Sequence, residues 1–320
     1  MCLDKRRQNL LRKTWRKSEM NAIAEESAPT HALLSTRVLV PLSLVGVYLI
    51  WGSTYLGIRI ALESYPPFLM AAIRFPIAGG LMYAFLRWRG MPAPTRRQWF
   101  NCFVTGTLLL GLGNGLVCYA EQTVASGITA VAVASVALIM SIFAGLYGQW
   151  PSRIEWFGLI VGFAGVIVLN FGGELRGAPA GAIALVVATL GWAFGSVWSK
   201  HQDMPQPMMS AAAQMLCGGI SLALIAALRG EHLAALPTAR ATFALVYLLV
   251  AGSLLGFSAY IYLLHHTRAA LASSYAYVNP PVAVLVGVAF AGETVTTLDI
   301  VGMVVILASV AAITLAKTKR

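Results

Sequence analysis

Charge is scarce in this chain. Only 11% of its 320 residues are Asp, Glu, Lys or Arg, and 58% are hydrophobic, where a soluble globular protein carries roughly 25% charge. A soluble core cannot absorb that much apolar sequence, so the bilayer is the expected solvent. Acidic residues are scarcer still, 12 against 23 Lys and Arg, which leaves a net charge of +11. That excess does not imply nucleic acid, because the basic residues lie in tails and short loops and form no stripe on a polar domain. Cysteine is rare. Cys102, Cys118 and Cys217 sit inside apolar runs, Cys2 in the N-terminal tail, and no CxxC or Cys/His pairing exists, so neither a structural disulfide nor a metal site is expected. Enzyme signatures are missing as well. There is no GxxxxGK[ST] of an ATP-driven pump and no HExxH, and Val124-Ala125-Ser126-Gly127 lacks the first glycine of an intramembrane serine protease motif. The expectation is a protein without cofactor or catalysis. The alternating ten-residue segments of a transmembrane barrel are also absent, and there is no sizeable soluble domain for a sensor or scaffold.

What the chain does have is long apolar runs. Ten are long enough to cross a hydrocarbon core of about 30 Å: 38–61, 66–86, 99–119, 123–147, 154–172, 178–200, 207–228, 241–264, 269–291 and 298–316. Short turns marked by Pro, Gly or charge separate them, and in lipid the helix is the economical way to satisfy the backbone. With the N-terminus inside, most Lys and Arg fall on the cytoplasmic side; the exceptions are Arg59, Arg74, Arg176, Arg229 and Arg240. Both termini are therefore expected to be cytoplasmic. Residues 1–37 form a basic tail that either binds anionic lipid or precedes a true start at Met20. Residues 317–320 form a short C-terminal tail.

One stretch is written twice. Trp51, Arg59 and Pro66 are matched by Trp192, Lys200 and Pro207 at the same spacing, and the loop Arg89-Gly90 to Arg97 by Arg229-Gly230 to Arg240. Gly148, Glu155 and Gly158 correspond to Gly292, Asp299 and Gly302. Five helices per copy is an odd number, so the second copy must enter the membrane the other way up, as in inverted-repeat transporters. The fold expected is an all-α membrane protein, ten transmembrane helices in two inverted five-helix repeats, 38–172 and 173–316.

Polar groups within apolar runs are the candidates for chemistry, since a charge at mid-bilayer costs about 2.5–3.5 kcal/mol on insertion scales. Glu121, at the end of the third run, either binds a cationic group and exchanges a proton or sits in water at the interface. Trp51, Tyr55 and Arg59 share a helix face; Arg59 either holds a carboxylate or snorkels. Arg74 lies about 12 Å into the second helix and needs a carboxylate or carbonyl partner; a structural ion pair is the simpler reading. Asn279-Pro280-Pro281 should interrupt the ninth helix by removing two N–H groups, which makes Tyr277 and Asn279 pocket candidates; the plain alternative is a packing kink. Gly111 to Gly115 reads as close helix packing, with Asn114 as pocket residue or interhelical glue. Trp192 is either the partner of Trp51 or ordinary packing, and His265 and His266 border a cytoplasmic loop.

Trp51-Gly52-Ser53-Thr54-Tyr55, Pro66-Pro67 with Arg74-Phe75, Gly113-Asn114-Gly115, Ala120-Glu121-Gln122, Trp192-Ala193-Phe194-Gly195-Ser196, and Ser274-Tyr275-Ala276-Tyr277-Val278-Asn279-Pro280 with Gly292-Glu293 together resemble EamA-type members of the drug/metabolite transporter superfamily, over residues 40 to 316. Two departures stand out: Gly148-Gln149 replaces Gly-Glu, and Ser135-Val136-Ala137 lacks the family's helix-4 proline. The resemblance implies export of amino acids or related metabolites across the bacterial inner membrane by alternating access. The cavity is expected to be lined by Trp51, Tyr55, Asn114, Glu121, Trp192, Tyr260, Tyr277 and Asn279. Arg59 and Lys200, equivalent in the repeat, become gate candidates at opposite mouths. A small-molecule substrate and the lipid bilayer are the expected partners, nucleic acid is not, and a second copy of the chain is a candidate. The rival readings are efflux of lipophilic cations by proton exchange at Glu121 and, in a different class, a membrane-embedded enzyme acting on lipid.

Overall fold

The computed structural model describes residues 36–124, 126–169, 179–291 and 297–315. The basic tail, Cys2, Arg176, Gly292-Glu293 and residues 317–320 lie outside them. Residues 1–39 form one unit, of which only the first turn of a helix is described, and Val40–Arg320 forms the other; the second holds everything below.

The described residues are helical and contain no sheet. We number the helices α1 (Thr36–Ala61), α2 (Pro67–Trp88), α3 (Arg96–Ala120), α4 (Ser126–Leu146), α5 (Arg153–Leu169), α6 (Pro179–Ser199), α7 (Pro207–Leu228), α8 (Ala239–His266), α9 (Ala269–Ala272 and Tyr275–Ala291) and α10 (Thr297–Leu315). Seven of these are long and apolar enough to cross a membrane, and Ala132–Leu146 and Ile300–Leu315 add two shorter apolar stretches. The apolar runs thus mark the helices to within a few residues. Large side chains such as Leu42, Phe100, Ile160, Ile183, Leu224 and Leu307 remain about half exposed on the outside, as they must where the surroundings are lipid.

Local signals set the helix ends, and several recur in the two halves. Pro67 and Pro207 each sit at the first position of their helix, where a missing N–H costs nothing. Thr95 and Thr238 cap α3 and α8 by accepting a hydrogen bond from the third backbone N–H. Gly90 and Gly230, just after α2 and α7, have φ of +82° and +67°, which a side chain would resist. α3 and α8 each contain a π-helical segment, Thr107–Asn114 and Leu248–Phe257, in which the turn widens by one residue.

Small residues let the helices approach. α2 packs chiefly on α7, and α5 on α10. A Cβ at Gly79 would meet backbone of α7 at 2.9 Å, and one at Gly219 the ring of Pro76 at 2.3 Å. Where α3 meets α7, a Cβ at Gly106 would lie 2.5 Å from the Gln214 carbonyl, and one at Gly218 2.7 Å from the Gly106 carbonyl. Such contacts are how helices associate where no hydrophobic force separates protein from lipid.

One expectation needs correcting. α9 is helical straight through Asn279-Pro280-Pro281, and its break falls earlier, at the turn Ser273-Ser274. The prolines clash with the carbonyls four residues before them. Those carbonyls belong to Ala276 and Tyr277, inside the helix that starts at Tyr275, so the two prolines leave them without the usual N–H partner four residues on.

Candidate functional site

A cavity of about 100 Å³ lies among α1, α2, α3, α4, α6, α8 and α9. Its floor is aromatic. Trp51 meets Trp192 edge-on at 5.5 Å, Tyr260 at 5.3 Å and Tyr275 edge-on at 4.8 Å; Trp192 lies 5.4 Å from Tyr260. These geometries suit the ring quadrupoles. The polar tips are satisfied: Trp192 Nε1 donates to the Tyr260 hydroxyl (3.1 Å), which also bonds Ser196 Oγ (2.6 Å), and Trp51 Nε1 donates to the Gly252 carbonyl (3.1 Å).

The π-helical segments shape this floor. Trp192 lies against Gly113, where a Cβ would be 2.7 Å from the indole, and Trp51 against Gly256, where it would be 2.5 Å away. Gly113 and Gly256 hold matched positions in the two segments. Each wide turn thus presents a glycine on which the other half's tryptophan rests, and in α8 it offers the Gly252 carbonyl as well.

Above the floor the walls are mostly apolar, and a few polar groups point in. Trp51, Tyr55, Asn114, Trp192 and Asn279 line the cavity, so five of the eight residues singled out from sequence come together there. Tyr260 is buried beneath them as part of the floor. Glu121 stands at the end of α3, with Oε1 buried and unpartnered among the described residues. Burial pushes its carboxyl up to about 8, with Arg59 and then Arg74 pulling it down. Tyr277 lies elsewhere: its hydroxyl donates to the Leu159 carbonyl at 2.8 Å and its ring packs between α5, α9 and α10. The aromatic two residues earlier, Tyr275, reaches the cavity instead. Arg74, for which a structural ion pair was the simpler expectation, is the further residue to place. It lines the cavity and makes no ion pair among the described residues; its Nη2 donates instead to Asn114 Oδ1 at 2.7 Å. An arginine so deep in an apolar helix was the available signal.

The two ends of the bundle differ. Beneath the floor, Arg268 pairs with Glu155 at 3.1 Å and donates to the Trp150 carbonyl at 3.1 Å. Lys200 donates to the Thr267 carbonyl at 2.7 Å, and Tyr48 bonds Ser274 at 2.6 Å. Burial, and then Arg268, lower the Lys200 ammonium to about 8. At the opposite end Glu231 accepts from the Leu69 N–H at 2.8 Å, Arg240 and Glu63 lie 3.8 Å apart, and Arg59 is exposed.

Helices of membrane-crossing length around a cavity with an aromatic floor define a polytopic membrane protein with an internal binding space. The EamA-like transporter family matches residues 39–171 and again 179–315, and the chain belongs to that family of membrane transporters. It is 45% identical over 284 residues, 88% of this chain and 93% of the other, to a protein of Escherichia coli strain K12 named uncharacterized inner membrane transporter YedA. It is 26% identical to uncharacterized transporter YoaV of Bacillus subtilis, over 84% of this chain and 94% of that one. Protein PecM of Dickeya dadantii is also 26% identical, over 81% and 87% of the two chains. A crystal structure with 21% identity shares the fold, with a TM-score of 0.73 over 86% of this chain and 96% of that one.

Proposed function

We propose that the protein is a secondary transporter of the bacterial inner membrane that exports amino acids or related small metabolites by alternating access. One observation carries this reading: a cavity bounded on one side by an aromatic floor to which each half of the chain contributes a matched tryptophan. The twofold match to the family and the recurrence of caps, glycines and π-helical segments support two inverted repeats, with ten spans in all. The inner membrane follows from the name that YedA carries. The basic residues gathered at the Arg87 and Arg268 end support cytoplasmic termini.

In this reading the aromatic floor and the contacts of Arg268, Lys200 and Tyr48 close the cytoplasmic mouth. Arg59, at the position matching Lys200, is exposed at the other mouth, with Glu121 in its field. Rocking one repeat against the other would release Lys200 from Thr267 and bring Arg59 onto the turn that begins at Glu121. Export, rather than import, is what the family resemblance suggests. The unpartnered Glu121 Oε1 favours a second reading, efflux of lipophilic cations in exchange for protons.

Counterflow into proteoliposomes loaded with a panel of amino acids and of cationic dyes, with and without a pH gradient, separates these. The first reading predicts amino-acid counterflow that needs no pH gradient. Dye exchange that requires the gradient and vanishes in Glu121→Gln supports the second reading, and no counterflow of any compound overturns both.

A further inference from the structure

Arg74 is an unusual group to find where it is. It lies in α2 only 3% exposed, faces the cavity, and has no carboxylate partner among the described residues. A guanidinium keeps its charge under all ordinary conditions and carries five N–H donors. Here one donor is used, on Asn114 Oδ1, and Nε has no partner. The guanidinium also sits 4.4 Å above the ring of Phe75, whose π face offers partial compensation. A neutral amide and a ring do not replace a counter-charge. Holding a cation away from water is costly unless it is paired, and a group left in that condition beside an open space marks where a partner binds. The surrounding wall narrows the partner's shape. Phe75, Leu110, Val117, Val136 and the two tryptophans of the floor leave an apolar space suited to a flat or branched hydrocarbon body.

We infer that Arg74 is the anion anchor of the cavity and that the transported molecule carries a carboxylate on an apolar body. This rests on the transport reading for the cavity's purpose and adds to it the substrate group and the residue that takes it. The carboxylate accepts from Nε and from the free donors of the guanidinium, in the forked geometry that arginine provides, while Asn114 holds the side chain in place from the far edge. Asn114 is then a positioning residue. On a substrate that also bears an ammonium group, Asn279 Oδ1 in the wall and Glu121 Oε1 at the end of α3 are acceptors without a partner among the described residues.

The test uses the full chain in lipid nanodiscs, with 3-phenylpropionate and its neutral isostere 3-phenylpropionamide as probes, read by calorimetric titration and by fluorescence of the floor tryptophans. The wild type should bind the acid about tenfold or more tightly than the amide, the factor expected for a hydrogen bond to a charged group. Arg74→Gln should bring the two probes to equal affinity. Asn114→Asp supplies an internal carboxylate where Arg74 already donates, so it should weaken the acid about tenfold without lowering the thermal midpoint, which covers the case in which Arg74→Gln does not fold. Equal binding of acid and amide by the wild type, including no binding of either, overturns the inference. So does discrimination that survives Arg74→Gln, or acid binding unchanged in Asn114→Asp. Counterflow on the same preparations keeps the two readings apart: selective acid binding without counterflow upholds Arg74 and sinks the transporter, and counterflow without acid selectivity does the reverse.

Discussion

At Glu121, one residue past the end of α3, burial and charge oppose each other. Burial pushes the carboxyl up to about 8, while Arg59 and Arg74 pull it the other way without reversing the shift. Between the ordinary value of 4.5 and about 8, the folded protein holds a proton there that the unfolded chain has released. Stability should therefore fall as pH rises through that window and level off above it. Thermal midpoints in detergent from pH 5 to 9 measure the slope, and Glu121→Gln should flatten it. A slope identical in the variant would show that the carboxyl already titrates near its ordinary value. The position of Glu121 was legible in the sequence because a carboxylate interrupts an apolar run. Its electrostatic setting was not, since Arg59 and Arg74 come from helices far away along the chain. Tyr277 failed for a similar reason: sequence places it next to the prolines, but the helix restarts at Tyr275, and it is Tyr275 that then faces the cavity.

The elements themselves were read well. Apolar length, proline at the first turn, threonine caps and glycine after the helix are all local, and the ends of α2, α3, α7 and α8 carry examples of them. What local signals could not reveal is which glycines are contact points. Gly46 and Gly218 both lie inside apolar helices, yet a Cβ on the first meets nothing within 4 Å and one on the second meets the Gly106 carbonyl at 2.7 Å. Backbone cannot step aside as a flexible side chain can, so Gly218→Ala should destabilise by about 1–3 kcal/mol. Gly46→Ala should be neutral or stabilise by up to about 1 kcal/mol, from helix propensity alone. Thermal midpoints of the two variants side by side check this, and equal midpoints would contradict the close approach of α3 and α7. The π-helical segments were likewise hidden from sequence. Gly111 to Gly115 suggested close packing, which Gly113 bears out against Trp192, but the widened turn depends on the tryptophan that fills it.

For the whole molecule, the central claim is that one cavity is reached from the two sides of the membrane in turn. The aromatic floor and the contacts of Arg268, Lys200 and Tyr48 close one side. The other side holds Arg59 exposed, at the matched position. Thr189 lines the cavity on α6 and can report which side has access. In a variant with Cys2, Cys102, Cys118 and Cys217 replaced and Thr189→Cys introduced, a membrane-impermeant thiol reagent is applied from one side of oriented vesicles and then from the other. The account predicts fast labelling from the Arg59 side at rest, and labelling that appears from the Arg268 side once transported substrate is supplied. Labelling confined to one side under every condition would contradict alternating access.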